Sequence, residues 1–289
     1  MDFLHSPHTD RIIRGALAED LGTDTPFGGD HTSFSTIPAG TQASARCLIK
    51  DTGILAGMAV AERVFQVLDD SVKFYPRLAD GETVNCGDVA FEVVGEARSI
   101  LIAERTVLNI MQRMSGIATQ THHYATLIAG TGCRLLDTRK TTPLVRHFEK
   151  WAVAIGGGTN HRTGLYDMIL IKDNHVDVAG GIAQAIRAAQ QYLREKGFSL
   201  DIEIETRTLD EVRQAVATGG VRRIMLDNMS LEMMREAVAL IGTSAETEAS
   251  GGNTTQTNRA VAETGVNFIS SGALTHSVRS LDISLKITR

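Results

Sequence analysis

Three short segments near the middle of the chain concentrate basic side chains. They contain Arg139 and Lys140, then His161 and Arg162 after a run of three glycines, and then Lys172 after an apolar segment. The chain as a whole has a formal charge of −5, so these residues do not reflect a general excess of positive charge. Arg offers a planar fork that binds carboxylate or phosphate at two points, and Lys supplies a point charge. The pattern predicts a built pocket for a small, highly charged anion.

Two carboxylates, Glu205 and Asp227, each end a short apolar segment. Either one could cap a helix or be a solvated strand end. As a pair beside a cationic pocket, they could instead accept hydrogen bonds from sugar hydroxyls, or hold Mg²⁺ directly or through water. The sequence leaves these alternatives open.

Two turns rich in serine and glycine, Ser250–Gly252 and Ser270–Gly272, follow short apolar segments near the end of the chain. In α/β barrels the last two loops between strand and helix often bind phosphate through backbone N–H groups. Two such turns in adjacent late positions therefore predict a phosphate site. His276 follows the second turn, and by itself it would be a structural residue.

After Gly132, short apolar segments alternate with amphipathic ones, which is typical of parallel strands joined by right-handed helical crossovers. The expected strands are 134–137, 168–171, 201–205, 223–227, 247–250 and 267–270, with helices over 182–196, 209–217 and 258–264 among them. Polar residues come repeatedly at the carboxyl ends of these strands. An α/β barrel and a doubly wound open sheet both bind ligands at that end, and the repetition favours the barrel.

The first part of the chain predicts a smaller α+β unit. Strands are expected over 45–49, 72–75 and 89–94, and helices over 59–68 and 97–116, with a first helix capped by Thr9–Asp10. The alternation in Leu281–Ile287 predicts a half-buried strand that returns to this unit as an edge strand. The expected domains are residues 1–116, an α+β sandwich; 117–276, the α/β barrel; and 277–289, the returning segment.

Composition excludes several classes of protein. Aromatic residues make up 5% of the chain and no basic stripe or tail is present, so a nucleic-acid partner is not expected. No apolar stretch could span a membrane. The 3 cysteines are far apart and lack metal-ligand spacing, which favours a reducing compartment. Because the first residues also lack the pattern of a signal peptide, the expected location is the cytoplasm.

The motifs together resemble those of the quinolinate phosphoribosyltransferases, over nearly the whole chain. The resemblance is carried by Asp137–Pro143, Gly156–Arg162 with Gly164–Leu165, Ile171–His175, Glu104–Thr106, Gln112–Thr119, Met225–Asn228, Ala262–Val266, Gly272–Ser277, Leu281–Ser284 and the N-terminal segments Glu19–Gly22 and Gly29–Ser33. It implies an N-terminal sandwich and an incomplete α/β barrel of seven strands. It also implies a homodimer with a shared active site and leaves a larger homo-oligomer open. Leu144, Trp151 and Asn253 depart from the family pattern, and glycine is usual where Leu144 stands.

The resemblance also implies a reaction and a role for each candidate residue. Quinolinate and phosphoribosyl pyrophosphate would give nicotinate mononucleotide, pyrophosphate and CO₂, with Mg²⁺, in the biosynthesis of NAD. Quinolinate would contact Arg139, His161, Arg162, Lys172 and, from the neighbouring subunit, Arg105. Phosphoribosyl pyrophosphate would contact Lys140, Glu205, Asp227, Ser250, Gly251, Gly252, Ser271, Gly272 and His276. Lys140, Lys172, Glu205 and Asp227 would be the catalytic residues, with Glu205 and Asp227 at the metal.

Other functions remain to be weighed. The chain could be a relative of the same fold, such as a nicotinate phosphoribosyltransferase or a protein linked to molybdenum transport. Nicotinate has one carboxylate and would not need so many cations, so the sequence favours quinolinate. A non-catalytic sensor of anionic metabolites would gain nothing from Glu205 and Asp227. The sequence does not decide whether Lys172 stabilises charge or supplies the proton that replaces CO₂.

Overall fold

The computed structural model describes residues 3–4, 6–25, 28–252 and 254–288, so Asn253 lies outside the described residues. Contacts divide the chain into two units. Unit 1 comprises Met1–His122, Thr141–Gly157 and Leu274–Arg289, and unit 2 comprises His123–Lys140 and Gly158–Ala273. The division at residues 116 and 276 that the sequence suggests stays a prediction.

The helices and strands follow the pattern of apolar residues closely. In chain order they are α1 (Pro7–Leu21), α2 (His31–Thr36), β1 (Gln42–Ile49), β2 (Gly53–Ile54), α3 (Met58–Leu68), β3 (Lys73–Pro76), β4 (Thr83–Val84), β5 (Val89–Glu96), α4 (Ala97–Leu127), β6 (Arg134–Leu136), α5 (Arg146–Ile155), β7 (Ile169–Ile171), α6 (Asp173–Ala179), α7 (Ile182–Lys196), β8 (Ile202–Thr206), α8 (Leu209–Thr218), β9 (Arg223–Asp227), α9 (Leu231–Ile241), β10 (Glu246–Ser250), α10 (Asn258–Ala262), β11 (Phe268–Ser270), α11 (Ala273–His276) and β12 (Ile283–Thr288).

Unit 1 contains an antiparallel four-stranded sheet in the order β12-β1-β5-β3, and a separate pair, β2 and β4. The edge strand β12 pairs with β1 from Ile49–Ile283 to Ser44–Thr288. Phe65 of α3 packs against Phe91 of β5, with ring centroids 6.2 Å apart, and both side chains are buried. The hydrophobic core of this unit therefore lies between α3 and the sheet.

The start of α1 differs from the prediction. Thr9 and Asp10 do not cap this helix, because Ser6 is the N-cap and accepts a hydrogen bond from the amide of His8. Pro7 occupies the first helical position, where its fixed φ suits the helix and its missing N–H costs nothing. Thr9 is instead buried within the helix and donates to the Phe3 carbonyl at 2.7 Å.

Helix α4 is longer than expected, because Gly116 lies within it and does not end it. A Cβ at Gly116 would collide with the Arg279 carbonyl oxygen. This glycine permits a close approach of two backbones. A glycine in a sequence can serve that purpose as well as end a helix. The helix therefore continues to Leu127.

Unit 2 is built around a parallel six-stranded sheet in the order β6-β11-β10-β9-β8-β7. Its strands alternate with helices along the chain, so the predicted α/β architecture is confirmed. Leu136 of β6 also forms an isolated parallel bridge with Thr159, at the place of a seventh strand. Among the described residues no ladder joins this bridge to β7, so the barrel is incomplete, with six regular strands where seven were expected.

Strand β8 shows how the sequence determines the two faces of this sheet. All five residues of Ile-Glu-Ile-Glu-Thr are buried, and successive side chains in a strand point to opposite faces. Ile202 and Ile204 take the face covered by α7 and α8, which both contact this strand. Glu203 and Glu205 therefore share the inner face. Strands β9 and β10 repeat the alternation, which places Arg223, Asp227, Glu248 and Ser250 on that face as well.

Candidate active site

A cavity of about 550 Å³ lies within unit 2, at the carboxyl ends of its strands. It is lined by residues of β8, β9 and β10 near their carboxyl ends and by residues of the loops after β6, β7, β9 and β10. Active sites in α/β barrels lie at this end of the strands. Of the residues expected from the sequence, those that line it are Arg139, Lys140, His161, Arg162, Lys172, Glu205, Asp227, Ser250 and Gly251.

The other candidate residues do not line this cavity. They are Arg105, Gly252, Ser271, Gly272 and His276. Arg105 is exposed on α4. The amide of Ser271 donates to the Leu136 carbonyl at 3.0 Å, so it is already used by the sheet. His276 lies in α11, where its Nδ1 is 2.6 Å from the Ser277 hydroxyl. Roles for these residues in binding remain predictions.

Two arginines form the cationic part of the cavity. The pKa of Arg162 is lowered by burial and by the neighbouring charge of Arg139. The two guanidinium groups therefore repel each other. A dianion between them would remove this repulsion and add charge-assisted hydrogen bonds. The Arg162 guanidinium is held at one side, because its Nη1 donates to the Met168 carbonyl at 3.2 Å.

Two carboxylates, Glu205 and Asp227, line the same cavity. Burial, and then the charge of Asp227, raise the pKa of Glu205. Lys172 offsets this only partly, since its Nζ lies 3.9 Å from Glu205 Oε2. Neither carboxylate is the N-cap of the helix that follows its strand, because Thr208 is the N-cap of α8 and Ser230 is the N-cap of α9. Glu205 instead accepts a hydrogen bond from the backbone amide of Asp173, the first residue of α6. The arrangement suits a cation or hydroxyl groups placed between them.

Asn228 is a site residue that sequence reasoning did not single out. Its Nδ2 donates to Asp227 Oδ2 at 2.7 Å, and its amide donates to the Ser250 carbonyl at 2.9 Å. Its backbone has a φ of 53°, a conformation that Asn tolerates better than most residues. A Cβ at Gly251 would collide with the Asn228 side chain, so glycine is required there. Asn228 thus connects the Asp227 carboxylate with the turn after β10.

Asp137 is a second residue that was not assigned a role. It follows β6, is fully buried, and accepts hydrogen bonds from Asn160 Nδ2 and from the amide of His161, both at 2.8 Å. A backbone hydrogen bond to β6 supports this arrangement, because the Thr159 amide donates to the Leu135 carbonyl at 2.8 Å. Asp137 therefore fixes the segment that carries His161 and Arg162 against the end of β6.

A buried ionic cluster lies below the cavity on the inner face of the sheet. Arg223 Nη1 is 3.0 Å from Glu248 Oε2 and 3.6 Å from Glu203 Oε2. His161 Nε2 is 3.2 Å from the same oxygen of Glu203 and 3.4 Å from that of Glu248. The alternating glutamates of β8 were the signal in the sequence, because a buried parallel strand is normally apolar throughout.

Comparison with known proteins identifies the family of this chain. A model of the quinolinate phosphoribosyl transferase C-terminal domain matches residues 117–286, and a model of the N-terminal domain of the same family matches residues 30–115. The chain belongs to the quinolinate phosphoribosyltransferase family. The resemblance noted in the motifs is therefore confirmed.

Two curated relatives match nearly all of this chain and most of their own length. The chain is 48% identical over 290 residues to the chloroplastic nicotinate-nucleotide pyrophosphorylase [carboxylating] of Arabidopsis thaliana, covering 96% of this chain and 82% of that protein. It is 42% identical over 279 residues to the probable nicotinate-nucleotide pyrophosphorylase [carboxylating] of Bacillus subtilis, covering 96% of this chain and 93% of that protein.

Solved structures of the family show the same fold. The NadC structure from Streptococcus pyogenes has a TM-score of 0.90 at 38% identity, covering 96% of both chains. Human nicotinic acid phosphoribosyltransferase has a TM-score of 0.59 at 13% identity, which shows a shared fold alone. Within the described part of the chain, no helix has the length and apolar character needed to cross a membrane. Since relatives are named as chloroplastic or mitochondrial, a cytoplasmic location stays a prediction.

Proposed function

We propose that this family member transfers the phosphoribosyl group of phosphoribosyl pyrophosphate to quinolinate. The products are nicotinate mononucleotide, pyrophosphate and CO₂, and the reaction belongs to NAD biosynthesis. The observation that supports this most directly is that one cavity is lined both by two arginines, Arg139 and Arg162, and by two carboxylates, Glu205 and Asp227.

The cationic part suits quinolinate, which carries two adjacent carboxylates on a pyridine ring. Arg139, Arg162 and Lys172 supply three positive charges around a partly buried space. In the reaction the ring nitrogen attacks the anomeric carbon, and the bond from that carbon to the pyrophosphate oxygen breaks. Lys140 lines the cavity and would neutralise the departing charge.

Loss of CO₂ follows from the first step. Once the ring nitrogen is ribosylated, the ring is cationic and accepts the electron pair of the bond to the adjacent carboxylate. The carbon that loses CO₂ then takes a proton. Lys172 can stabilise that electron pair or deliver the proton, and the two roles are separable by the pH dependence of decarboxylation.

We propose Mg²⁺ as the metal, beside Glu205 and Asp227. Burial and the Asp227 charge raise the pKa of Glu205, so a nearby cation would stabilise both ionised carboxylates. Mg²⁺ is usually held by one or two carboxylates together with water and substrate phosphates, which fits this pair better than a closed set of protein ligands. When bound, the ion would supply positive charge to the leaving pyrophosphate.

The two alternatives make different demands on the cavity. A nicotinate phosphoribosyltransferase needs to bind one carboxylate, yet two mutually repelling arginines are present. A metabolite sensor needs no carboxylates beside its anion, yet Glu205 and Asp227 both line the cavity. The proposed reaction accounts for both features.

The deciding experiment supplies carboxyl-labelled quinolinate, phosphoribosyl pyrophosphate and Mg²⁺ to the purified protein. We expect release of labelled CO₂ together with nicotinate mononucleotide, and no product when nicotinate replaces quinolinate. Product from nicotinate would favour the nicotinate phosphoribosyltransferase alternative. Tight binding of quinolinate without turnover would favour the sensor.

Arg139→Ala and Arg162→Ala test the assignment of the cationic part. Each should weaken quinolinate binding by about 1.5–3 kcal/mol, the contribution of a hydrogen bond to a charged group, and leave phosphoribosyl pyrophosphate binding nearly intact. Arg213→Ala is a matched control, because Arg213 pairs with Glu236 on the surface and both side chains are 53% exposed. Calorimetry that shows unchanged quinolinate affinity in both cavity variants would remove these arginines from the substrate site.

We also propose a homodimer in which Arg105 completes the site of the neighbouring subunit. Its support is that Arg105, which belongs to unit 1, is exposed on α4 and is not among the residues that line the cavity of unit 2. Mixing inactive Arg105→Ala with inactive Lys172→Ala under conditions of subunit exchange should restore activity, because a hybrid dimer has one intact site. Proven hybrids without recovered activity would contradict shared sites.

A further inference from the structure

The ring of His161 is engaged on one side by the backbone. The amide of Arg162 donates a hydrogen bond to His161 Nδ1 at 2.7 Å. A nitrogen that accepts an N–H must have a free lone pair, so Nδ1 carries no proton in this geometry. The ring proton therefore resides on Nε2.

The other side of the ring faces the ionic cluster. Nε2 lies 3.2 Å from Glu203 Oε2 and 3.4 Å from Glu248 Oε2, and both of these side chains are fully buried. An Nε2–H group suits two carboxylate neighbours. The His161 side chain itself is only 6% exposed, although it contributes to the cavity lining.

We propose that His161 is a positioning residue for Arg162 and not a ligand of the substrate carboxylates. The proposal deepens the proposed function and rests on it, because it concerns how the quinolinate site is held. The ring connects the Arg162 amide to the acidic cluster. The backbone amide of His161 is tied in turn to Asp137 Oδ1 at 2.8 Å.

The electrostatics of the ring show two opposing influences. Burial lowers the pKa of His161, while Glu203 and Glu248 raise it by a larger amount. The Arg162 amide opposes protonation of Nδ1, since a hydrogen bond to the neutral form of a group disfavours its charged form. The carboxylates raise the pKa of His161 to about 9 and so favour a protonated ring, whereas the 2.7 Å contact from the Arg162 amide requires an unprotonated Nδ1. The hydrogen bond is the more direct observation, because Nδ1 cannot accept it and carry a proton at the same time, so the ring in this geometry is neutral. The positive charge offered to quinolinate then comes from Arg139, Arg162 and Lys172.

The placement has a consequence for Arg162. Its amide is held by His161 Nδ1, and its guanidinium Nη1 donates to the Met168 carbonyl. Both ends of the residue are therefore fixed before substrate enters. Preorganisation of this kind reduces the entropy lost on binding.

Three variants of His161 separate the two roles. Asn places an oxygen acceptor at the position of Nδ1, Gln places an amide nitrogen near the position of Nε2, and Ala does neither. None of the three carries a positive charge. The dissociation constants of quinolinate and of phosphoribosyl pyrophosphate are measured by calorimetry for wild type, His161→Asn, His161→Gln and His161→Ala.

We expect His161→Ala to weaken quinolinate binding by about fivefold, the effect of one lost hydrogen bond, and His161→Asn to recover most of that loss. His161→Gln should recover less, and phosphoribosyl pyrophosphate binding should change little. If Asn, Gln and Ala weaken quinolinate binding equally, the ring acts through its charge and the proposal is wrong. If wild type itself does not bind quinolinate, the proposed function fails first, and that result is distinct.

A measurement on the unaltered protein covers the case in which a variant does not fold. Heteronuclear NMR of histidine-labelled protein reports which ring nitrogen carries the proton. We expect Nε2 protonated and Nδ1 unprotonated in His161, with no change of tautomer when quinolinate is added. Two protonated ring nitrogens, or a large shift of either on adding quinolinate, would overturn the proposal.

Discussion

Replacement of Asp137 tests whether the segment that carries Arg162 is fixed by one buried carboxylate. In Asp137→Ala, the Asn160 Nδ2 donor and the amide of His161 both lose an acceptor at 2.8 Å. Hydrogen bonds to a charged group contribute about 1.5–3 kcal/mol each, so the two together predict a loss of about 3–6 kcal/mol in the free energy of unfolding of unit 2.

Asp137→Asn is the matched control, because it preserves shape. The new amide can accept from the His161 amide through its oxygen and donate to Asn160, once the Asn160 amide turns over. Two neutral hydrogen bonds then replace two charged ones, and the expected loss is only about 1–2 kcal/mol. The difference in the free energy of unfolding between Asp137→Ala and Asp137→Asn thus measures the contribution of the hydrogen-bond acceptors separately from that of the charge.

Urea denaturation, followed by signals from unit 2, gives the two free energies of unfolding. Calorimetry with quinolinate on the same samples should show a smaller loss of affinity in Asp137→Asn than in Asp137→Ala. The reason is that Arg162 directly follows His161, whose amide Asp137 holds. A loss below about 1 kcal/mol in Asp137→Ala, or an Asn variant no better than Ala, would refute the reasoning.

Substitutions at three further residues test other parts of the structure. Asp227→Asn removes one charge at constant shape. In steady-state assays the Mg²⁺ concentration for half-maximal turnover should therefore rise, while quinolinate affinity stays within about twofold of wild type. An unchanged Mg²⁺ requirement with a loss of quinolinate affinity would place quinolinate beside Glu205 and Asp227. Glu149, nearly fully buried, accepts from Arg113 Nη2 at 2.8 Å and from the Thr142 amide at 3.0 Å, so Glu149→Ala should destabilise unit 1 by about 3 kcal/mol in urea and Glu149→Gln by less. Leu144 has a φ of 69° and is 92% exposed, so Leu144→Gly should raise stability by about 1 kcal/mol in the same assay, and a loss of stability would show that this backbone is not strained.

The strand pattern of unit 2 was predictable, because each strand is short and apolar on at least one face and is bounded by a clear turn. Strand 223–227 was predicted with the bounds that β9 has. Arg139, Lys172, Glu205 and Asp227 follow from the same argument, since carboxyl ends of parallel strands meet at one edge. Chemistry at strand ends is therefore visible in the sequence of a barrel.

Other parts depend on contacts between distant residues and were not predictable. Gly116 has the sequence signature of a helix end, but its role is to admit the Arg279 backbone. Asn228 gave no signal of its own, because its importance comes from its contacts with Asp227 and Ser250. The direction of the His161 ring was hidden for the same reason, since its carboxylate neighbours come from β8 and β10.

The incomplete barrel has a consequence for how this enzyme family can diverge. In the described part of the chain, the parallel sheet has one edge at β7 and the other at β6, where Thr159 forms its bridge. Residues 160–168 connect these two edges. Arg162 lies in that connection, whereas Glu205, Asp227 and Ser250 belong to strands paired on both sides. Insertions or replacements in the connection would leave every strand pairing in place. If the proposed function holds, the contact that Arg162 makes with the acceptor can therefore change while the strands that carry Glu205, Asp227 and Ser250 keep their pairing.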